Sequence, residues 1–369
     1  MSGPDKSLFQ DEFRTVGPPR RRPDEVEPLP CDRWLASSAL QKAIRRGEVL
    51  TAQRALRTLY RHDPRSAWRR LLGIACEDVG IGALDAVIEA IMRTADAKAG
   101  RDVGEDEAAA LATTQMLAEA PKDRSADMLY TATQHHPALE IWRKTCRFAP
   151  VARRLEFVAE PTWSLPERAL AAWHSSGVDP RGERCVGPGD FGALLRTYAE
   201  LGVPERLLAT VALATKKTRE PLALFLPLLW LAAEGGETAL VDASPPPSGL
   251  IDGVPLYALD KHTRLGRQAI GRFAKENAEI AQFLAEHGCG SGSDGALRMA
   301  VFYADGALTR PTLQWRCSAE LSAIGVAADF HSVRVAADVG AALVRLVAAH
   351  IGELDAIRCR VLSRALSDP

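Results

Sequence analysis

No Gly-Lys dipeptide occurs anywhere in this chain of 369 residues. The phosphate-cradling loop GxxxxGK[ST] is therefore missing, which excludes nucleotide hydrolysis by that route. Paired cysteines are missing as well. The seven cysteines (31, 76, 146, 185, 289, 317 and 359) show no CxxC and no paired spacing. That excludes a disulfide framework and suggests free thiols in a reducing cytoplasm. Charge of one sign is not in excess: 46 Lys and Arg stand against 47 Asp and Glu, a net of −1. The whole chain has no pull towards nucleic acid, so any such binding needs a local patch. Long apolar runs are also lacking. The strongest, Pro221–Ala233 (PLALFLPLLWLAA), is interrupted by Pro227 and falls short of the roughly 20 residues that span a bilayer. It reads as a buried core helix. The first residues carry no apolar segment of the kind a signal peptide needs, so a soluble, cytoplasmic protein without membrane contact is expected.

What is present is helical periodicity. Residues 1–30 are polar and rich in Pro and Arg and read as a disordered tail. From Trp34 onwards Leu35, Ala39, Leu40 and Ile44 recur at three- and four-residue steps, and Gly47 marks a helix stop. Val49, Ala52, Leu56 and Leu59 form a second stripe ended by His62-Asp63-Pro64. A third helix starts at Pro64 and runs to Gly80. Further helices are expected over 83–99, 104–119 and 123–135, joined by turns short enough to make neighbours antiparallel. The clearest linker is 244–250, which opens with SPPPSG at 244–249. Helices are expected near 257–287, 294–303, 312–324 and 331–367, with short strands allowed at 300–303 and 330–335. These readings predict an all-α multi-helix bundle in four parts: a helical domain over 31–148, a second helical region over 149–243, the linker, and a C-terminal helical domain over 251–369.

Three blocks in the first of these parts resemble one family. They are Ala39-Leu40-Gln41-Lys42-Ala43-Ile44-Arg45-Arg46-Gly47, then Trp68-Arg69-Arg70-Leu71-Leu72-Gly73-Ile74-Ala75-Cys76-Glu77-Asp78-Val79-Gly80, then Leu117-Ala118-Glu119-Ala120-Pro121-Lys122-Asp123-Arg124. Their order and chemistry resemble the C-terminal helical domain of the MgsA/RarA replication-associated recombination ATPases. The resemblance covers residues 34–135, about a quarter of the chain. It departs from the family at Cys76 and at Asp123-Arg124. It implies a clamp-loader-like collar that self-associates or docks on a partner, with Glu77, Asp78, Pro121 and Lys122 as its structural motif, and it confers no catalytic residue.

Two clusters carry candidate chemistry. From Arg33 to Leu72 there are ten Lys and Arg against Glu48 and Asp63 alone, a net of about +8. Lys42, Arg45, Arg46, Arg54, Arg57, Arg69 and Arg70 are the candidate nucleic-acid contacts, since a one-sided cationic helix face neutralises phosphates. The bland alternative is a solvated face that pairs with acids such as Glu105–Glu107. The second cluster is Asp260, His262 and Arg264, a possible ligand site offering a base, a titratable imidazole and an anion clamp. Against it, Asp260 stands where a helix-capping acid belongs. Glu77-Asp78 are adjacent on a helix and do not face one another, which favours a structural role over metal binding. His135-His136 lack zinc-ligand spacing and read as helix-terminal residues. The glycine-rich 288–295 reads as a hinge.

The sequence therefore leads to a non-catalytic, DNA-associated scaffold or adaptor in replication, recombination or repair. No metal or cofactor is expected. The expected partners are DNA, a separate ATPase or replication protein, and further copies of the chain. The alternatives are an enzyme or small-ligand binder built around Asp260–Arg267, and a pure assembly adaptor whose basic face meets an acidic protein.

Overall fold

The computed structural model describes residues 26–96, 103–179, 188–289 and 294–367. Over these the chain is all-α, a multi-helix bundle with a few short strands. Helix α1 (Arg33–Arg46) begins where the Asp32 carboxylate accepts the amides of Trp34 and Leu35, each at 2.8 Å, and ends at Gly47 with φ 72°. That left-handed position suits glycine. Asp63 closes α2 (Val49–His62) and caps α3 (Pro64–Ile74), accepting the Arg65 amide at 3.0 Å. Helix α3 widens into a π-turn, Ala75–Val79, followed by a 3-10 turn, α4 (Leu84–Asp96), α5 (Val103–Glu119) and α6 (Ser125–His135). Helix α1 packs on α2 and α5, and α3 packs on α4.

The middle of the chain forms α7 (Glu140–Phe148), α8 (Val151–Ala159), α9 (Leu165–Ser176), α10 (Phe191–Glu200), α11 (Glu205–Thr218) and α12 (Leu222–Ala233). The apolar run is α12, buried from Leu222 to Leu229 with Pro227 inside, and it packs against α6, α9 and α11. Then come β1 (Thr238–Val241), β2 (Leu250–Ile251), β3 (Val254–Pro255), α13 (Arg264–Glu276), α14 (Ala278–Glu286) and α15 (Asp294–Val301). A second π-turn, Phe302–Gly306, leads to β4 (Thr312–Trp315), α16 (Ser318–Ser332), α17 (Ala337–Ala349) and α18 (Ile351–Ser367). Strands β1 and β4 pair antiparallel, Thr238 opposite Trp315 and Val241 opposite Thr312.

Three local expectations change. Segments 300–303 and 330–335 are not strands: the first finishes α15 and enters the π-turn, and the second finishes α16 and turns. The helix expected from residue 312 starts as β4 instead, because its partner strand lies far upstream and leaves no local trace. The helix expected over 257–287 is broken at Asn277, whose side chain caps α14 by accepting the Ile280 amide at 2.8 Å. Residues 1–25, 97–102 and 290–293, which carry most of the expected tail and parts of one helix and the glycine-rich hinge, lie outside the described residues.

Packing crosses the 244–250 stretch. Helix α6 lies along α16, and α1 packs on the 3-10 turn Leu256–Ala258. One apolar core runs through all these layers, from Leu29 to Leu362. Among the described residues, no helix is long and apolar enough to cross a membrane.

Candidate nucleic-acid interface

The basic residues of α1 do not form a solvated face. Lys42, Arg45 and Arg46 are 2%, 1% and 4% exposed. Arg45 reaches both π-turns: Nε donates to Asp78 at 2.6 Å, Nη2 to Glu77 at 2.8 Å, and Nη1 to the Gly306 carbonyl at 2.8 Å. Asp78 also accepts from Gln41 at 2.8 Å and pairs with Arg124 at 3.2 Å. Arg46 pairs with Asp305, donates to the Pro246 carbonyl at 2.9 Å, and lies over the Tyr257 ring at 4.5 Å. Asp305 in turn binds Arg358 of α18 at 2.7 Å. Lys42 pairs with Asp260 at 2.6 Å and donates to the Ser38 hydroxyl at 2.7 Å. These cations are neutralised inside the protein, so they are not available to a phosphate. The physical reason is cost: a buried charge persists only when paired and hydrogen-bonded.

Two other sequence candidates hold the incoming chain. Arg54 Nε donates to the Glu27 carbonyl at 3.1 Å. Arg57 donates to the Val26 carbonyl at 2.5 Å and pairs with Glu107 at 3.1 Å. That leaves Arg69 and Arg70 on α3. Arg69 is exposed, and Arg70 donates to the Gln41 side chain.

Both line a cleft of about 330 Å³ between α1, α3 and the end of α11, with Arg33, Trp34, Glu77 and Glu220 also on its walls. Trp34 is 64% exposed. The Arg33 guanidinium lies 4.7 Å from its ring centroid, a cation–π contact that steadies the indole. Gly73 keeps one wall low, since a Cβ there would meet nothing within 4 Å. Three arginines face two glutamates, one of which, Glu77, is already bound by Arg45. The arrangement offers an aromatic platform, cations for phosphate and Glu220 as an acceptor. Sequence reasoning passed over Trp34 and counted Arg33 only in the charge sum. The signal was there: Trp34 falls off the stripe of Leu35, Ala39, Leu40 and Ile44, so it faces away from the core.

Of the second cluster, Asp260 lies inside the fold, whereas His262 and Arg264 lie at its surface. Asp260 is 1% exposed and bound to Lys42, and it accepts the His262 amide at 3.0 Å. Burial alone would raise its carboxyl; Lys42 and then His262 hold it down to about 2. His262 and Arg264 are exposed, and none of the three residues lines the cleft around Trp34.

The structure does bring the two halves of the family-like motif together. The Asp123 amide donates to the carbonyls of Asp78 and Val79, each at 3.1 Å. Gly82 sits so close that a Cβ would lie 2.6 Å from the Pro121 carbonyl oxygen. Lys122 is fully buried, donating to the carbonyls of Ala118 at 2.9 Å and of Ala120. Burial pushes its ammonium down to about 7, only partly opposed by Asp78. The departure at Arg124 has a function in packing: it gives Asp78 a second cation and pairs with Asp127. Comparison with protein-family models, with curated proteins and with solved structures found no match to this chain.

Proposed function

We propose that the protein is a non-catalytic helical scaffold that engages DNA as a single strand, at the cleft around Trp34. The observation that carries this reading is an exposed tryptophan beside Arg33, Arg69 and Arg70 in one cleft. Proteins that hold single strands combine base stacking on aromatic rings with cations that track the phosphates. A base on Trp34 would leave Glu220 to accept from an exocyclic amine and the arginines to meet the backbone. The buried pairing of Lys42, Arg45 and Arg46 narrows the reading: the contact is a cleft, not a helix face. A setting in replication, recombination or repair, self-association and docking to a separate ATPase rest on the resemblance of residues 34–135 to the MgsA/RarA collar. Light scattering tests the self-association.

The decisive measurement is anisotropy of a labelled oligonucleotide of about 15 nucleotides, titrated with the protein at low and moderate salt. Binding should weaken with salt at a slope of about −2 in log K against log salt, since about three arginines contact phosphate. Trp34→Ala should cost about 1–3 kcal/mol of binding, the worth of one stacked base. Gly73→Met, which fills the cleft without changing charge, should weaken binding as well. Absence of binding at low salt, or indifference to both substitutions, would sink the proposal.

A further inference from the structure

A second cleft, of about 580 Å³, opens where the end of α6, α7 and the turn between α16 and α17 meet. Two arginines, Arg143 and Arg334, stand there with the imidazoles of His135 and His331, joined by Gln134 and Ser332, and no carboxylate is in its lining. Arg143 is fixed through one nitrogen, Nη1, which donates to the carbonyls of Thr133 at 3.3 Å and His136 at 3.1 Å. Arg334 sits in a left-handed backbone position, φ 63°. There its amide returns to the His331 carbonyl at 2.9 Å and closes α16. Glycine takes such a position without strain and arginine does not. The side chain gains nothing locally in return: the Arg334 guanidinium makes no hydrogen bond or ion pair among the described residues. Ala336 begins α17 without a side-chain cap. Burial, then the charges of His331 and Arg143, hold the neighbouring His136 imidazole below its ordinary range. Glu140 on the same helix acts on Arg143 from outside the cleft, while the Arg334 guanidinium has no carboxylate beside it in the lining.

We propose that this cleft binds a small phosphoanion of the pyrophosphate or sugar-phosphate class, its oxygens held between Arg143, His331 and Arg334. Several donors converge from three elements, which suits a tetrahedral, multiply charged group better than a planar carboxylate that one fork satisfies. The apolar lining is limited to Val335 and Ala336, with no Trp, Tyr or Phe. A nucleobase would find no platform, whereas a compact polar anion needs none. The volume lies within the range of small-molecule sites. The same phosphoryl chemistry is also offered by the backbone of a nucleic acid, and the two sources separate by experiment.

The test is calorimetric titration of the full chain with sodium pyrophosphate in a chloride buffer. One saturable site is expected. Arg334→Gly should weaken it about tenfold or more, the effect of losing charge-assisted hydrogen bonds, while the unfolding midpoint stays level or rises because glycine relaxes the turn. His331→Gln should weaken it as well. No saturable binding, or equal affinity in Arg334→Gly, overturns the proposal. In a second arm, an oligonucleotide bound equally by the wild type and Arg334→Gly, and not displaced by pyrophosphate, supports a free phosphoanion as the ligand. Displacement together with loss in Arg334→Gly assigns the cleft to a nucleic-acid backbone and overturns the small-molecule reading.

Discussion

Asp78 shows how single residues hold this protein. It is fully buried and receives Gln41, Arg45 and Arg124. Removing it leaves Arg45 with Glu77 alone and Arg124 with Asp127 alone, and strips Gln41 of its buried acceptor, so Asp78→Ala should cost about 3–5 kcal/mol, read as a fall in the urea midpoint. Arg69→Glu, on an exposed residue of the same neighbourhood, should stay within about 0.5 kcal/mol of wild type. If the two variants unfold alike, the buried network is not what ties α1 to the π-turn. Lys122 makes a prediction of a different kind. Its native ammonium titrates at about 7 against an ordinary value of 10.5. Between those values the unfolded chain binds a proton that the native protein does not. Stability from this residue therefore rises with pH across that window, by up to about 1.4 kcal/mol per unit. Urea unfolding at neutral and at alkaline pH measures the slope, and Lys122→Met should flatten it. Equal slopes in the two proteins would mean that Lys122 is charged in the native state.

Between elements, two glycines give opposite expectations. Helix α16 lies along α6 with Gly325 at the contact, where a Cβ would fall 2.5 Å from the Met128 sulfur and 2.9 Å from its Cα. Backbone cannot retreat as a side-chain tip can, so Gly325→Val should destabilise by about 2–3 kcal/mol. Gly271 of α13 has nothing within 4 Å of its would-be Cβ, and Gly271→Ala should stabilise by about 0.5–1 kcal/mol through helix propensity. Thermal midpoints of the pair settle both signs. Such close approaches explain what the sequence could and could not disclose about the elements. Gly47, the Asp63-Pro64 stop and start, and the periodic stripes of α1 to α3 are local signals, and the structure follows them. The pairing of β1 with β4 joins residues more than seventy positions apart, and no local pattern records it. Helix α1 misled for a sharper reason. Its polar residues look solvated by composition, yet almost all of the helix is buried, because Lys42, Arg45 and Arg46 each meet an acid from a distant segment. Of the seven candidates Arg69 alone is exposed, Arg54, Arg57 and Arg70 being half-buried, and Trp34 joins Arg69 at the cleft from a helix face that the apolar stripe already left open.

On the scale of the whole molecule, these pairs make the C-terminal third part of the fold of the N-terminal third. Lys42 depends on Asp260, and Arg46 depends on Asp305, which is shared with Arg358. Strand β1 depends on β4, and Asp123 accepts Trp315 Nε1 at 2.9 Å. A fragment ending at residue 243 would retain every helix of the family-like region. It would nonetheless leave Lys42 and Arg46 without their anions and uncover the faces of α1 and α6 that now meet the 3-10 turn Leu256–Ala258 and α16. Each abandoned buried charge costs several kcal/mol, against a typical total stability of about 5–15 kcal/mol for a domain. The fragment should therefore fail to fold cooperatively: far-UV circular dichroism should show residual helix, and urea should melt it without a sharp midpoint. Full-length protein should instead lose its near-UV signal and its helix together. A fragment that unfolds as sharply as the full chain would show that the N-terminal helices carry their own core, and that the buried ion pairs fasten two finished bodies rather than complete one.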